Sequence, residues 1–313
     1  LVVAAFALWS WFFLYSTPED VEVVIPRGLT LAATAEVLEE KGVVRSALAL
    51  RLYFLWHGTD SRVVAGEYRF PAGVTLGDVH RMLVEGRVVT HRVSIPEGLT
   101  IEQTARLLEE KGVVPSKEFI AAARDPALAR RLLGVEVSSL EGYLYPDTYA
   151  FAHGVGARAV IRRMVSRFKE VYASLHHPPT ALSRHEIVTI ASIIEKETSA
   201  PEERPLISAV IHNRLRRGMK LECDPTVIYG LGAGFDGNLR RSDLESDNPY
   251  NTYVHAGLPP GPIANPGRAS LEAALNPAPV DYLFFVSMGN GRHKFSRTYR
   301  EHAAAVRRYQ MGR

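Results

Sequence analysis

The sequence predicts an α+β protein in three parts. They are an apolar N-terminal anchor over 1–16, a small βα module with an internal repeat over 21–135, and a helix-rich domain over 136–313 that closes on a β-hairpin. Three observations carry this. Residues 1–16 hold no charge, a 22-residue pattern occurs at both 25–46 and 95–116, and helical apolar periodicity then dominates until two strand-like runs flank Gly289-Asn290-Gly291.

The first segment reads LVVAAFALWSWFFLYS. A membrane span needs about 20 apolar residues. The chain opens on Leu1 rather than Met, so the segment is expected to be the end of a longer, uncleaved anchor. Trp9, Trp11 and Tyr15 gather where an interfacial aromatic belt would lie. Glu19, Asp20 and Glu22 follow, with no Lys or Arg before Arg27, so this flank is expected outside the cytoplasm. No small-residue cleavage pattern follows, which sets the signal-peptide reading behind the anchor.

The repeat pairs IPRGLTLAATAEVLEEKGVVRS with IPEGLTIEQTARLLEEKGVVPS, identical at 15 of 22 positions. Each copy reads as a short strand ending in Ile-Pro, a glycine turn, and a helix capped by Thr30 or Thr100. In the second copy Gln103 stands at capping-box spacing. Leu31, Ala35 and Leu38, and likewise Ile101, Ala105 and Leu108, form one face at helical spacing, and Gly42 and Gly112 end the helices. Between the copies Val63–Phe70 alternates like a strand, and a second helix start follows at Gly73–Leu76. Ser116–Leu133 reads as one helix capped by Ser116. The duplication serves equally well as a spacer or as a binding module.

Composition excludes little. Of 313 residues 46% are hydrophobic and 23% charged, enough for a core without disulfides. The single cysteine, Cys223, reads as a small packed side chain. A net charge of +3, with no basic stripe interleaved with aromatics, gives no case for nucleic acid. H-E-x-x-H, G-x-S-x-G and P-loop motifs are absent, and the eleven histidines lack metal-ligand spacing, so no cofactor or metal is expected.

The chemistry concentrates in SRHEIVTIASIIEKET, 183–198. Ser183 caps a helix on which Ile187, Ile190, Ala191 and Ile194 form a stripe. Glu195 and Glu197 fall on opposite edges of it, so they do not form a carboxylate pair. Glu195 lies toward the helix C-terminus. The dipole there and burial would both raise its pKa and suit it to donate a proton, with Lys196 or Arg204 opposing. Without context, a glutamate at a helix edge is most often a solvated charge. The next helix is expected from Pro201, with Arg214, Arg216 and Arg217 complementing its dipole and Gly218 stopping it. Asp224-Pro225 reads as the cap and first residue of a short helix. NPYNTY (248–253), the Pro/Gly-dense run after it, and LEGYLYPDTYAF (140–151) read as rigid polar loops suited to hydroxyl recognition and ring stacking. Candidate substrate-binding residues are Glu141, Asp147, Asn213, Asp224, Thr226, Tyr250, Asn251 and Thr252, with Glu195 as the catalytic candidate. A final helix is expected over Arg300–Tyr309.

Taken in order, LEGYLYPDTYAF, IASIIEKET, ISAVIHNRLRRGMKLECDPTVIYG, NTYVHAGLPPGPIANPGRASLEAALNP and YLFFVSMGNGRHKFS resemble the YceG-like endolytic murein transglycosylases. The resemblance implies a single-pass protein of the cytoplasmic membrane with an extracytoplasmic catalytic domain over 136–313, behind a LysM-like module. It implies cleavage of peptidoglycan strands between N-acetylmuramic acid and N-acetylglucosamine, leaving a 1,6-anhydro end, beside cell-wall synthesis proteins. The first glutamate of EKET, Glu195, becomes the catalyst, acid first and then base, because the sugar's C6 hydroxyl replaces water as nucleophile. Two other readings stay open: a non-catalytic glycan-binding scaffold, and a hydrolase in which Asp147, Glu141 or Asp224 is the second carboxylate.

Overall fold

The structure, a computed structural model, describes residues 17–152 and 154–311. The anchor expected over 1–16 lies outside the described residues. Among those described, no helix is long and apolar enough to cross a membrane. The chain groups into two compact units. The first holds 17–93, 108–114 and 149–156, and the second holds 94–107, 115–148 and 157–311.

In the first unit β1 (Val21–Ile25) pairs antiparallel with β2 (Gly66–Phe70), Val23 facing Tyr68. Alternation sends Val23, Ile25, Tyr68 and Phe70 inward, where Leu38, Leu50, Phe54 and Leu83 meet them. Those last four come from α1 (Leu31–Glu40), α2 (Ala47–Trp56) and α3 (Leu76–Glu85). Thr30 and Ser46 cap the first two, and a Thr75–Asp78 capping box starts the third. The strand expected from Val63 begins only at Gly66. Val64 instead donates its N–H to Leu83 and accepts the Tyr68 hydroxyl, which takes it out of the ladder.

The strand β3 (Thr90–Ser94) leads into the second copy, which supplies α4 (Ile101–Glu110), where Thr100 and Gln103 make the expected reciprocal cap at 3.3 and 3.0 Å. The strand β3 pairs with β4 (Thr148–Ala152), drawn from a stretch expected to be loop. Tyr149 and Phe151 alternate inward along β4 and stack. The single helix expected over Ser116–Leu133 is two: α5 (Ser116–Ala123) and α6 (Pro126–Leu133). Pro126 cannot continue the α5 ladder, and Asp125 caps the new start by accepting the Ala127 N–H. Pro115, not Ser116, holds the cap position of α5.

The second unit adds α7 (Ala157–Ala173), α8 (Arg184–Glu197), α9 (Arg204–Arg216), α10 (Asp224–Leu231), α11 (Arg241–Leu244) and α12 (Arg268–Leu275). The hairpin β5 (Phe284–Ser287) and β6 (His293–Ser296), with α13 (Tyr299–Tyr309), ends it. The helix α8 is the axis. Ser183 and Glu186 form its capping box, and it packs on α9, α10 and α12. Every residue of Ile187–Ile194 is buried, not one stripe alone. Thr189 and Ser192 enter the core because their hydroxyls donate back to His185 and Thr189 carbonyls, and Ser192 accepts the Ile263 N–H.

Two expected helix starts shift. Pro201–Glu203 is a 3-10 turn, and α9 begins at Arg204. Cys223, not Asp224, occupies the cap of α10. Arg214 does more than complement a dipole. It is buried, and its guanidinium donates to the carbonyls of Leu283, Lys220 and Leu221 and to Glu222, over the Phe284 ring.

Candidate active site

Glu195 ends the buried run of α8 and is half-buried itself. Its Oε2 accepts the Gly267 N–H at 3.0 Å, and Gly267 is the residue that caps α12. Gly98 packs against the side chain: a Cβ there would stand 3.5 Å from Glu195 Cγ. The negative end of α8 lies at this carboxylate, as helical position requires. The structure adds the positive end of α12 at the same carboxylate.

A second carboxylate stands here that the sequence reading missed. Glu97 lies over Gly267, so closely that a Cβ on that glycine would collide with the Glu97 carboxylate. Gly267 therefore touches both acids, one through its N–H and one across its Cα. The residue is exposed overall, yet partial burial of its carboxyl pushes its pKa up. The charge on Glu195 acts in the same direction and Arg204 opposes. The turn that carries Glu97 is pinned. Gly98 N–H donates to Asn265 O, Asn265 N–H and Nδ2 donate to Leu99 O, and Lys196 Nζ donates to Gly98 O. Arg27 stands in the first copy where Glu97 stands in the second, and it likewise lies over a glycine before a helix, Gly156. That charge reversal is one of seven differences between the copies, and Glu36 against Arg106 is another, so by itself it does not single out Glu97.

Glu197 diverges from Glu195, as helical spacing requires. Its Oε2 is sealed without a hydrogen-bond partner, even though the residue as a whole is only half-buried. Burial, then the neighbouring Asp224, push its pKa up to about 7. Asp224 is exposed and accepts the Tyr253 hydroxyl at 2.6 Å.

The remaining predicted residues gather mostly in internal networks. Glu141 is buried and accepts the Ile101 N–H at the start of α4, the Tyr229 hydroxyl and Asn265 Nδ2. Burial pushes it up to about 8, against the pull of the Ile101 N–H and Tyr229. Asp147 pairs with Arg167 at 2.7 Å. Asn213 donates to the carbonyls of Val280 and Tyr282, holding the approach to the hairpin. Thr226 and Thr252 are buried, their hydroxyls 2.9 Å apart, and Thr252 accepts the Cys223 N–H. Asn251, fully buried, donates to the carbonyls of Asp243, Leu244 and Ser246. Tyr250 packs its ring on Tyr229 at 4.8 Å and leaves a half-exposed face. A cavity of about 450 Å³ lies beside Asn213, between His212, Arg216, Asp281 and Arg297, and neither Glu195 nor Glu97 lines it.

Residues 23–308 match the sequence pattern of the YceG-like family. The endolytic murein transglycosylase of Bacillus subtilis (strain 168) is 33% identical over 307 residues, spanning 92% of this chain and 84% of that protein. The protein of the same name from Streptococcus pneumoniae serotype 2 is 34% identical over 154 residues, 47% of this chain and 28% of that protein. A crystal structure of a YceG-like protein from Listeria monocytogenes aligns at a TM-score of 0.60 and 32% identity, covering 91% of this chain and 98% of that one.

Proposed function

This chain belongs to the YceG-like family, and from that premise we propose that it is an endolytic lytic transglycosylase of peptidoglycan glycan strands, with Glu195 at the centre of its chemistry. It cuts between N-acetylmuramic acid and N-acetylglucosamine. As the bond from C1 to the leaving oxygen breaks, that oxygen takes a proton. As C6–OH bonds to C1, the hydroxyl loses one, and a 1,6-anhydro ring remains. One carboxylate can perform both transfers in turn, and the tethered hydroxyl gains from proximity. The observation that carries the reading is the Glu195 carboxylate, fixed by the Gly267 N–H at the start of α12. The uncharged segment 1–16 anchors this domain outside the cytoplasmic membrane, beside the cell-wall synthesis proteins, and the repeat-bearing stretch 21–135 is its LysM-like module.

A two-carboxylate hydrolase is the second reading, and one observation favours it: Glu97 beside Glu195. The three acids first considered for that role are engaged elsewhere, Glu141 at the start of α4, Asp147 with Arg167, and Asp224 beside Tyr253 and Glu197. Mass spectrometry of purified glycan strands after incubation with wild type and Glu195→Gln tests the proposal. Anhydro-ended internal fragments from wild type alone are expected. Normal turnover by Glu195→Gln overturns the assignment, and cleavage by neither with binding retained supports a scaffold.

A further inference from the structure

We infer that Glu97 is a second catalytic carboxylate, the acid that protonates the leaving glycosidic oxygen while Glu195 takes the proton from the C6 hydroxyl. This rests on the transglycosylase reading and divides between two residues the transfers that one would otherwise make in turn. The balance closes. The C1–O bond breaks and its oxygen receives the Glu97 proton. The C1–O6 bond forms and the O6 proton passes to Glu195. Proton exchange through solvent then restores the pair.

The geometry argues for it in three ways. Both acids meet at one residue, Gly267, which donates its N–H to Glu195 and offers Glu97 the only kind of Cα that leaves room for it. The Glu97 turn is tied at Gly98 and Leu99 to Asn265, and at Gly98 to Lys196, the residue after Glu195, so the backbone that carries Glu97 is held beside the end of α8. Glu97 is the more exposed of the two and can reach a bound polymer.

Two interacting acids in one site do not release their protons together. The charges acting on Glu97 are Glu195 on α8 and Arg204 at the start of α9, with Lys196, Tyr145 and Arg268 nearby. Burial and the Glu195 charge both favour a proton on Glu97, against Arg204. That is the division of labour required of an acid and a base in one site.

The experiment compares wild type, Glu97→Gln, Gly267→Ala and Glu195→Gln on two substrates. One is purified glycan strand. The other is a short N-acetylglucosamine–N-acetylmuramic acid oligomer with an umbelliferyl group on the muramic anomeric carbon, a leaving group that needs no proton. Glu97→Gln is expected to lose about 100-fold or more on glycan strand, to lose less than tenfold on the aryl substrate, and to lose the basic limb of its pH–kcat profile. Gly267→Ala is expected to follow the same pattern, because it keeps both carboxylates and the N–H while displacing the Glu97 carboxylate. Glu195→Gln should fail on both substrates. Equal losses for Glu97→Gln on the two substrates, or no loss on glycan strand, overturn the proposal while anhydro products from wild type leave the transglycosylase reading standing. If wild type itself gives no anhydro ends, that reading falls first.

Discussion

Three glutamates on or beside one helix end up with three different occupations, and each is set by a handful of contacts. Glu195 takes the Gly267 N–H, Glu97 rides over the same glycine, and Glu197 points into a sealed space near Asp224. Glu197 has a measurable consequence. Its folded-state pKa of about 7 lies above the ordinary 4.5, so the folded protein keeps a proton that the unfolded chain has released. Its contribution to stability is therefore full at and below about pH 4.5 and lost as pH rises through about 7. Glu197→Gln, which never carries the charge, is expected to gain on the order of 3 kcal/mol over wild type at pH 8 and almost nothing at pH 4.5, read from urea melts at both. An equal gain at both pH values would show that charge burial is not the cause. The divergence of Glu195 and Glu197 was legible from helical spacing. Glu97 was not, because it lies 98 residues from Glu195 in sequence and inside a motif that looked like plain repeat grammar.

At the scale of elements, several helices were legible from a cap followed by an apolar run, although the one behind Ser46 was not read. Thr30, Thr100 and Ser183 behave as their spacing requires. The helix misses trace to proline and its neighbours, which shift a start by one to three residues at Pro115, Pro201 and Pro225 and split one expected helix at Pro126. The strand β4 was hidden because its partner β3 is distant in sequence and only the paired register reveals it. Loop residues expected to meet sugar, Asn251 and Thr252 among them, bond the loop to itself, a role that periodicity cannot separate from recognition. Two substitutions test how these elements support the site. Gly142 adopts φ +83° and sits where a Cβ would come within 2.5 Å of Pro262 and 2.8 Å of Val188 on α8. Neither neighbour can swing away, so Gly142→Ala is expected to cost roughly 3 kcal/mol in a denaturant titration; a loss below half that would mean the turn relaxes. Asn265 joins the Glu97 turn to the core, donating to Leu99 O and Glu141 and accepting the Leu144 N–H. Asn265→Ala should lose about 3 kcal/mol, and its kcat on glycan strand should fall more than its KM rises. Unchanged kcat would sever the clamp from the chemistry.

At the scale of the whole molecule, Glu97, Glu195 and Gly267 all lie within the second unit. The transglycosylase and the hydrolase differ in one atom, the nucleophile that reaches C1. Digestion of purified glycan strands in water enriched in oxygen-18 follows that atom directly. The account predicts new muramic ends that are anhydro and carry no oxygen-18, because the ring oxygen comes from the sugar's own C6 hydroxyl. Reducing ends labelled with oxygen-18 would show that water attacks, and would contradict the transglycosylase assignment while leaving Glu97 and Glu195 as a hydrolase pair.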